Sequence, residues 1–162
     1  MMKKKMKNKV WMFGGILSIC LMGSLTGCIE STNQQISVKD LAKELKTEIN
    51  YQDELSKLDK DVAIEMYQLD GIEVEDCIVY VSTGATAEEI AVISAKNGTD
   101  ASKIEEAFEK RVEEQKNSFK DYVPEELKKL DEAVIEEEGN IVVLSISDED
   151  EKAEALIKNA AK

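Results

Sequence analysis

Apolar residues recur every three or four positions in five stretches of the sequence, and this spacing predicts helices. The stretches cover residues 37–50, 59–67, 99–122, 124–130 and 148–160. Polar or charged residues occupy the intervening positions, so each predicted helix has one apolar face. We therefore expect all five to pack that face against a common core.

The ends of the helices carry capping signals. Ser37 followed by Asp40 is typical of a helix N-terminus. The longest helix is predicted to be capped by Thr99 or by Asp100. In the second helix we expect Val62 to face the core.

Between the helices the pattern changes to runs of β-branched and apolar residues, which predict strands. Residues 74–82 and 89–95 form one predicted hairpin through a small-residue connection. Residues 133–135 and 141–146 form a second hairpin around residues 138–140. The fold class is therefore predicted as α+β, a mostly antiparallel four-stranded sheet packed with helices in the order α-α-β-β-α-β-β-α, in which the short helix at residues 124–130 is not counted.

The N-terminal segment has a different composition from the rest. Residues 1–27 contain five lysines and no acid, and an apolar run at residues 10–22 follows the lysines. A helix needs about 20 apolar residues to cross a membrane, so this shorter run predicts a secretory signal. The tetrad Leu-Thr-Gly-Cys that ends at Cys28 resembles the lipobox of bacterial lipoproteins. That resemblance implies a diacylglycerol on the Cys28 thiol and cleavage before it.

These features predict the organisation of the chain. Residues 1–27 are a signal peptide, residues 28–36 are the lipidated cysteine with a short polar tether, and residues 37–162 are a single domain. The predicted location is the extracytoplasmic face of the cell membrane. The membrane is then a partner through the lipid on Cys28, and two acyl chains suffice for stable attachment.

Charge and composition narrow the chemistry. The 162 residues include 21 Lys and Arg against 34 Asp and Glu, a net charge of −13, and no histidine. Loss of the five lysines of residues 1–27 leaves 16 basic residues and a charge of −18, which disfavours nucleic acid as a partner. Without histidine, Ser-His-Asp catalysis and most zinc sites are excluded. We expect no cofactor and no metal, and we expect Cys77 to be a buried, unreactive thiol.

Several segments together resemble a known family. They are Met66-Tyr67, Val-Tyr-Val-Ser-Thr-Gly-Ala at residues 79–85, Glu-Glu-Ile-Ala-Val at 88–92, Lys-Arg-Val-Glu-Glu-Gln-Lys at 110–116 and Gly-Asn-Ile-Val-Val-Leu at 139–144. The family is DUF4358, and the similarity extends over residues 38–160. The resemblance implies a small extracytoplasmic lipoprotein of low-GC Gram-positive bacteria and carries no assigned activity.

Two groups of residues are candidate contacts for a ligand or partner. Thr83, Gly84 and Thr86 lie in a connection whose hydroxyls and backbone N–H groups could bind a ligand, although a hairpin connection needs such residues anyway. Arg111 and Gln115 lie one helical turn apart beside an apolar stripe. Arg111 could bind an acidic ligand, or it could hold the sheet edge or pair with a neighbouring glutamate.

The predicted function is a non-catalytic binding or interaction module of the cell envelope. Its partner is expected to be an unknown envelope protein or a small ligand. The alternative is a small envelope hydrolase that uses two carboxyl groups in one cleft. The acidic run at residues 148–151 lacks the spacing of a calcium loop and is expected to be solvated.

Overall fold

The computed structural model describes residues 36–162. The predicted signal peptide, Cys28 and nearly all of the predicted tether lie outside these residues. Among the described residues, no helix is long and apolar enough to cross a membrane.

Five helices and five strands make up the domain. The helices are α1 (Val38–Glu48), α2 (Lys60–Met66), α3 (Gly98–Phe119), α4 (Leu127–Asp131) and α5 (Asp150–Ala160), with a 3₁₀ turn at Pro124–Glu126 leading into α4. The strands are β1 (Ser56–Lys57), β2 (Val74–Val81), β3 (Glu89–Ala95), β4 (Val134–Glu138) and β5 (Ile141–Ile146).

The strands form one antiparallel sheet in the order β1-β2-β3-β5-β4. The central strand β3 pairs with β2 and with β5, so Ala91 lies opposite both Val79 and Leu144. The α+β class, the antiparallel sheet and both hairpins are confirmed. The predicted number of four strands is wrong, and so is the predicted element order, because β1 was not foreseen between α1 and α2. Its two residues, Ser56 and Lys57, are both exposed and show no apolar alternation.

Helices cover both faces of the sheet and create two apolar layers. Alternate residues of β3 point to opposite faces. Ala91 and Ile93 pack with α2, α3 and α4, whereas Ile90 and Val92 pack with α1 and α5. Cys77 is buried in the first layer as predicted, and burial raises the pKa of its thiol to about 11.

The N-terminal caps of α1 and α3 test two of the sequence predictions. The predicted cap Ser37 is confirmed, since its hydroxyl accepts from the Asp40 N–H at 3.2 Å. The cap of α3 is Asn97, whose side chain accepts from the Asp100 N–H at 3.0 Å, so neither Thr99 nor Asp100 has that role. Asparagine caps helices as well as aspartate does, and Gly98 begins the helix.

The inward face of α2 was also predicted incorrectly at one position. Ala63 is buried, but Val62 is 49% exposed. The helix has only seven residues, and its packing continues through the buried Tyr67 and Leu69 that follow it. Val62 instead borders an open cavity beside α2.

Candidate functional site

An open cavity of about 510 Å³ lies at the end of the sheet where β2 ends and β3 begins. Helix α2 and the C-terminal half of α3 form its sides, and the connection between β2 and β3 closes one edge. The volume is within the range of small-molecule and side-chain binding pockets. Its apolar lining consists of Leu58, Val62, Met66, Val81, Phe119 and Tyr122.

All five candidate contact residues line this one cavity. Thr83, Gly84 and Thr86 come from the β2–β3 connection, and Arg111 and Gln115 come from α3. The sequence presented them as two separate groups, 25 or more positions apart. The structure places both groups in the lining of a single concave surface.

A buried carboxylate forms the floor of the cavity. Glu89, the first residue of β3, accepts a hydrogen bond from the Tyr67 hydroxyl at 2.7 Å. Its Oε2 accepts from Arg111 Nη2 at 2.8 Å and from Gln115 Nε2 at 2.9 Å. Glu89 thereby joins the residue after α2 to two successive turns of α3. The prediction that Arg111 could pair with a neighbouring glutamate is confirmed by this contact.

The charge states of Arg111 and Tyr67 follow from burial and from their contacts with Glu89. Burial opposes the charge on Arg111, but the hydrogen bond and the attraction of Glu89 outweigh burial and raise the pKa of the guanidinium. Burial, followed by the proximity of Glu89, raises the pKa of Tyr67 well above its usual range. Arg111 therefore stays charged and Tyr67 stays neutral at any physiological pH.

Arg111 lines the cavity and retains donor capacity. Its Nε and Nη2 atoms face Glu89, whereas its Nη1 has no hydrogen-bond partner within residues 36–162. The Arg111 side chain is 26% exposed, and that of Glu89 is 2% exposed. A ligand in the cavity thus has more access to the guanidinium than to the carboxylate.

The β2–β3 connection is fixed by hydrogen bonds. Asp53 accepts from the Thr83 N–H at 2.9 Å and from the Thr83 hydroxyl, and these bonds lower the pKa of Asp53. The Ser82 hydroxyl donates to the Thr86 carbonyl at 2.6 Å. Gly84 between them has φ +93°, a conformation that residues with a β-carbon rarely adopt.

Glu88, the residue before Glu89, is a second buried carboxylate, and its hydrogen-bond donors come from several segments of the chain. Glu88 accepts from the Gln52 and Asp53 N–H groups, both at 2.9 Å. It also accepts from the Thr86 hydroxyl at 3.0 Å and from Lys129 Nζ at 3.2 Å. Glu88 therefore anchors both the segment after α1 and the β2–β3 connection.

Lys129 is the cation of this second network and is 2% exposed. Its Nζ lies 3.2 Å from Glu88, 3.2 Å from Glu126 and 3.6 Å from Asp148. Glu126 also accepts from the Ala87 N–H at 2.8 Å. Burial lowers the pKa of Lys129, but the contacts with Glu126 and Glu88 outweigh it and raise that pKa, so the ammonium remains charged.

Sequence reasoning did not identify the residues of these two networks as a site. Glu88, Glu89 and Tyr67 belong to the segments that resemble DUF4358, but no role was assigned to them. The available signal was the pair of glutamates at the start of an otherwise apolar strand. An ionised carboxylate at a strand position buried on both faces requires a cation nearby.

Two large apolar side chains are exposed in the described part of the chain, and both border the cavity. Val62 is 49% exposed and Tyr122 is 76% exposed. The acidic run at residues 148–151 lines a separate open hollow with Lys152, and no apolar side chain belongs to the lining of that hollow. Within residues 36–162, no group of three or more Cys, Asp or Glu side chains is placed to hold a metal ion.

Comparison with protein families gives a match over most of the domain. The profile of a family described as "Domain of unknown function (DUF4358)" matches residues 47–147. The matched range contains β1 to β5, α2 to α4 and every residue named above as lining the cavity. Comparison with curated proteins and with solved structures gives no match.

Proposed function

Because the chain belongs to the DUF4358 family of domains of unknown function, we propose its function from the cavity itself. The chain is a non-catalytic binding module of the cell envelope, and a diacyl lipid on Cys28 tethers it to the extracytoplasmic face of the membrane. The cavity between α2, α3 and the β2–β3 connection holds its ligand or partner.

The observation that carries this proposal is the position of Val62 and Tyr122. Large apolar side chains that are exposed together around a concave surface mark interaction sites, because water otherwise contacts that surface at a free-energy cost. Both side chains border a cavity that is also lined by Arg111, whose Nη1 has no hydrogen-bond partner among the described residues 36–162. Apolar walls with a few directed polar groups are the usual composition of a binding pocket.

The carboxylates of the site support binding rather than hydrolysis. A hydrolase of the alternative kind needs two carboxyl groups that can reach the substrate. One donates a proton to the leaving group, and the other acts as a nucleophile or as a base for water. Glu89 is enclosed by donors from Tyr67, Arg111 and Gln115. Glu88 is enclosed by backbone N–H groups and Lys129. Both are engaged as structural acceptors, so we favour the binding function.

The tether is supported by the N-terminal sequence. A basic segment, a short apolar run and the Leu-Thr-Gly-Cys tetrad ending at Cys28 match what lipoprotein processing requires. Globomycin, which inhibits the lipoprotein signal peptidase, should block maturation, and so should the Cys28→Ala substitution. Unchanged mature size and unchanged membrane fractionation under both conditions would contradict the tether.

The binding role can be tested by photo-crosslinking of the full chain in cells. Benzoylphenylalanine in place of Tyr122 should form specific adducts on irradiation, since position 122 borders the cavity. The matched control places the same group at Glu109, an exposed position on the same helix–turn segment but away from the cavity lining. Adducts at neither position, or the same adducts at both, would contradict a binding role for the cavity.

A further inference from the structure

We propose that the cavity docks a basic segment of another polypeptide. The segment inserts one large apolar side chain between Val62 and Tyr122 and places a backbone carbonyl against Arg111. This inference rests on the proposed binding function and names the class of partner that the cavity fits.

The floor of the cavity selects a neutral acceptor. The charge of Arg111 is already balanced by Glu89 at 2.8 Å, so the free Nη1 offers a hydrogen bond without an excess positive charge. An incoming carboxylate would add a negative charge beside Glu89, in a region where burial weakens screening. A backbone carbonyl accepts the same hydrogen bond without that repulsion.

The apolar lining selects the side chain. Val62 and Tyr122 stand at the mouth, and Phe119 and Met66 lie on the α3 and α2 sides. An aromatic or long aliphatic side chain that displaces water from this lining gains hydrophobic free energy. The sulfur of Met66 and the rings of Phe119 and Tyr122 make favourable contacts with an aromatic side chain in particular.

The charge of the domain selects the flanking residues of the partner. Residues 1–35 contain five of the 21 basic residues and one of the 34 acidic residues, Glu30. The described residues 36–162 therefore contain 16 basic and 33 acidic residues, which gives a net charge of −17. A field of this sign attracts cationic partners and repels anionic ones during approach. Lysines or arginines beside the inserted side chain are therefore expected in the docked segment.

The position of the cavity disfavours a lipid of the anchoring bilayer as its occupant. Ile36, where the described chain begins, lies beside Asp76 and Ser94. The cavity lies at the other end of the same strands, beside Val81 and Glu89. Ser94 lies five positions after Glu89 in β3, roughly 17 Å away at the usual rise of a strand. A tether that reaches the domain through Ile36 thus meets the end of the sheet remote from the cavity.

The test uses the full chain in lipid nanodiscs and a displayed library of random 12-residue peptides. We expect selected peptides to combine Lys or Arg with a large apolar residue. Their affinity should fall at least ten-fold for the Val62→Ser/Tyr122→Ser variant and should weaken as sodium chloride rises from 50 to 500 mM. The Glu109→Ser control should bind as the wild type does. Since Val62 and Tyr122 are exposed, the double variant should keep the melting temperature of the wild type.

Three results would overturn the inference. They are selection of acidic peptides, selection of peptides without a basic residue, and equal binding by the wild type and the Val62→Ser/Tyr122→Ser variant. Position-122 adducts that resist protease and contain lipid would also overturn it, because the occupant would then be a lipid. Such adducts would leave the binding function of the cavity standing, whereas the absence of any adduct at position 122 would remove that function itself.

Discussion

Arg111 and Glu89 form an ion pair with Nη2 and Oε2 2.8 Å apart, in which the arginine side chain is 26% exposed and the glutamate side chain is 2% exposed. The carboxylate is part of the core, where Tyr67 and Gln115 also donate to it. The same contact therefore fixes α3 on the sheet and positions the guanidinium toward a ligand. Changes at Glu89 should affect both stability and the cavity.

The first prediction concerns removal of the Glu89 carboxylate. In a Glu89→Leu variant the donors of Arg111, Tyr67 and Gln115 lose their common acceptor inside the protein. Breaking a buried pair from one side typically costs about 3–5 kcal/mol, so the free energy of unfolding should fall by that amount. Urea denaturation followed by circular dichroism measures it. The exposed control Glu109→Leu should change stability by less than about 0.5 kcal/mol.

A double variant separates the pair from the rest of the network. Adding Arg111→Met to Glu89→Leu removes the uncompensated cation and restores apolar packing, so we expect recovery of about half of the lost stability or more. Additive losses from the two substitutions would show that the pair itself is not the source of the effect.

The second prediction compares adjacent lysines. Lys129 is buried between Glu88 and Glu126. Lys128, on the same helix as Lys129, is exposed and lies 3.6 Å from Glu132. Lys129→Met should leave two buried carboxylates without a cation and lower the free energy of unfolding by about 3–5 kcal/mol. Lys128→Met should lower it by about 0.5 kcal/mol or less. Similar losses in chemical denaturation would contradict the role assigned to the Lys129 network.

The third prediction concerns the pH dependence of stability at Cys77. The pKa of the thiol is about 11 in the folded domain, raised by burial, against a reference value of 9.0. The unfolded chain therefore loses the thiol proton first as the pH rises. Below pH 9 the neutral thiol makes its full contribution to the free energy of unfolding. This contribution is about 3 kcal/mol at most, and it is lost as the pH rises toward 11.

Comparison with Cys77→Ala isolates this contribution from the other groups that titrate in the same range. The stability difference between the two proteins should change in favour of the variant between pH 9 and pH 11. Parallel stability curves across that window would contradict the shift. Alkylation of Cys77 by iodoacetamide at pH 8 should also be slow in the folded protein and fast in urea.

The parts of the fold that the sequence predicted are those set by local spacing. The 3.6-residue period of α1 and the apolar runs of β3 and β5 define their elements and their buried faces. Strand β1 was missed because two exposed residues carry no period. Its existence depends on pairing with Tyr80 and Val81, more than 20 positions away.

The candidate site was predicted in part for the same reason. Small residues in the connection and an arginine beside an apolar stripe are visible locally, so Gly84 and Arg111 could be identified. The burial of Glu89 and Lys129 could not, because it depends on partners from other elements. Tyr67 and Arg111 each lie 22 positions from Glu89, and Lys129 lies 41 positions from Glu88.

The last prediction tests whether the conformation of the β2–β3 connection is itself required. Gly84 has φ +93° and no atom within 4 Å of the position that a β-carbon would take, so Gly84→Ala introduces backbone strain without a steric clash. A left-handed conformation costs an alanine about 1–2 kcal/mol, and we expect the free energy of unfolding to fall by about 1 kcal/mol.

Gly98→Ala is the matched control, since its β-carbon also meets open space and its φ is not positive. This control should leave stability unchanged or raise it slightly, because alanine favours the helix that Gly98 begins. Equal stability of the two variants would show that the connection relaxes freely, and the hydrogen bonds from Thr83 to Asp53 would then not fix its shape.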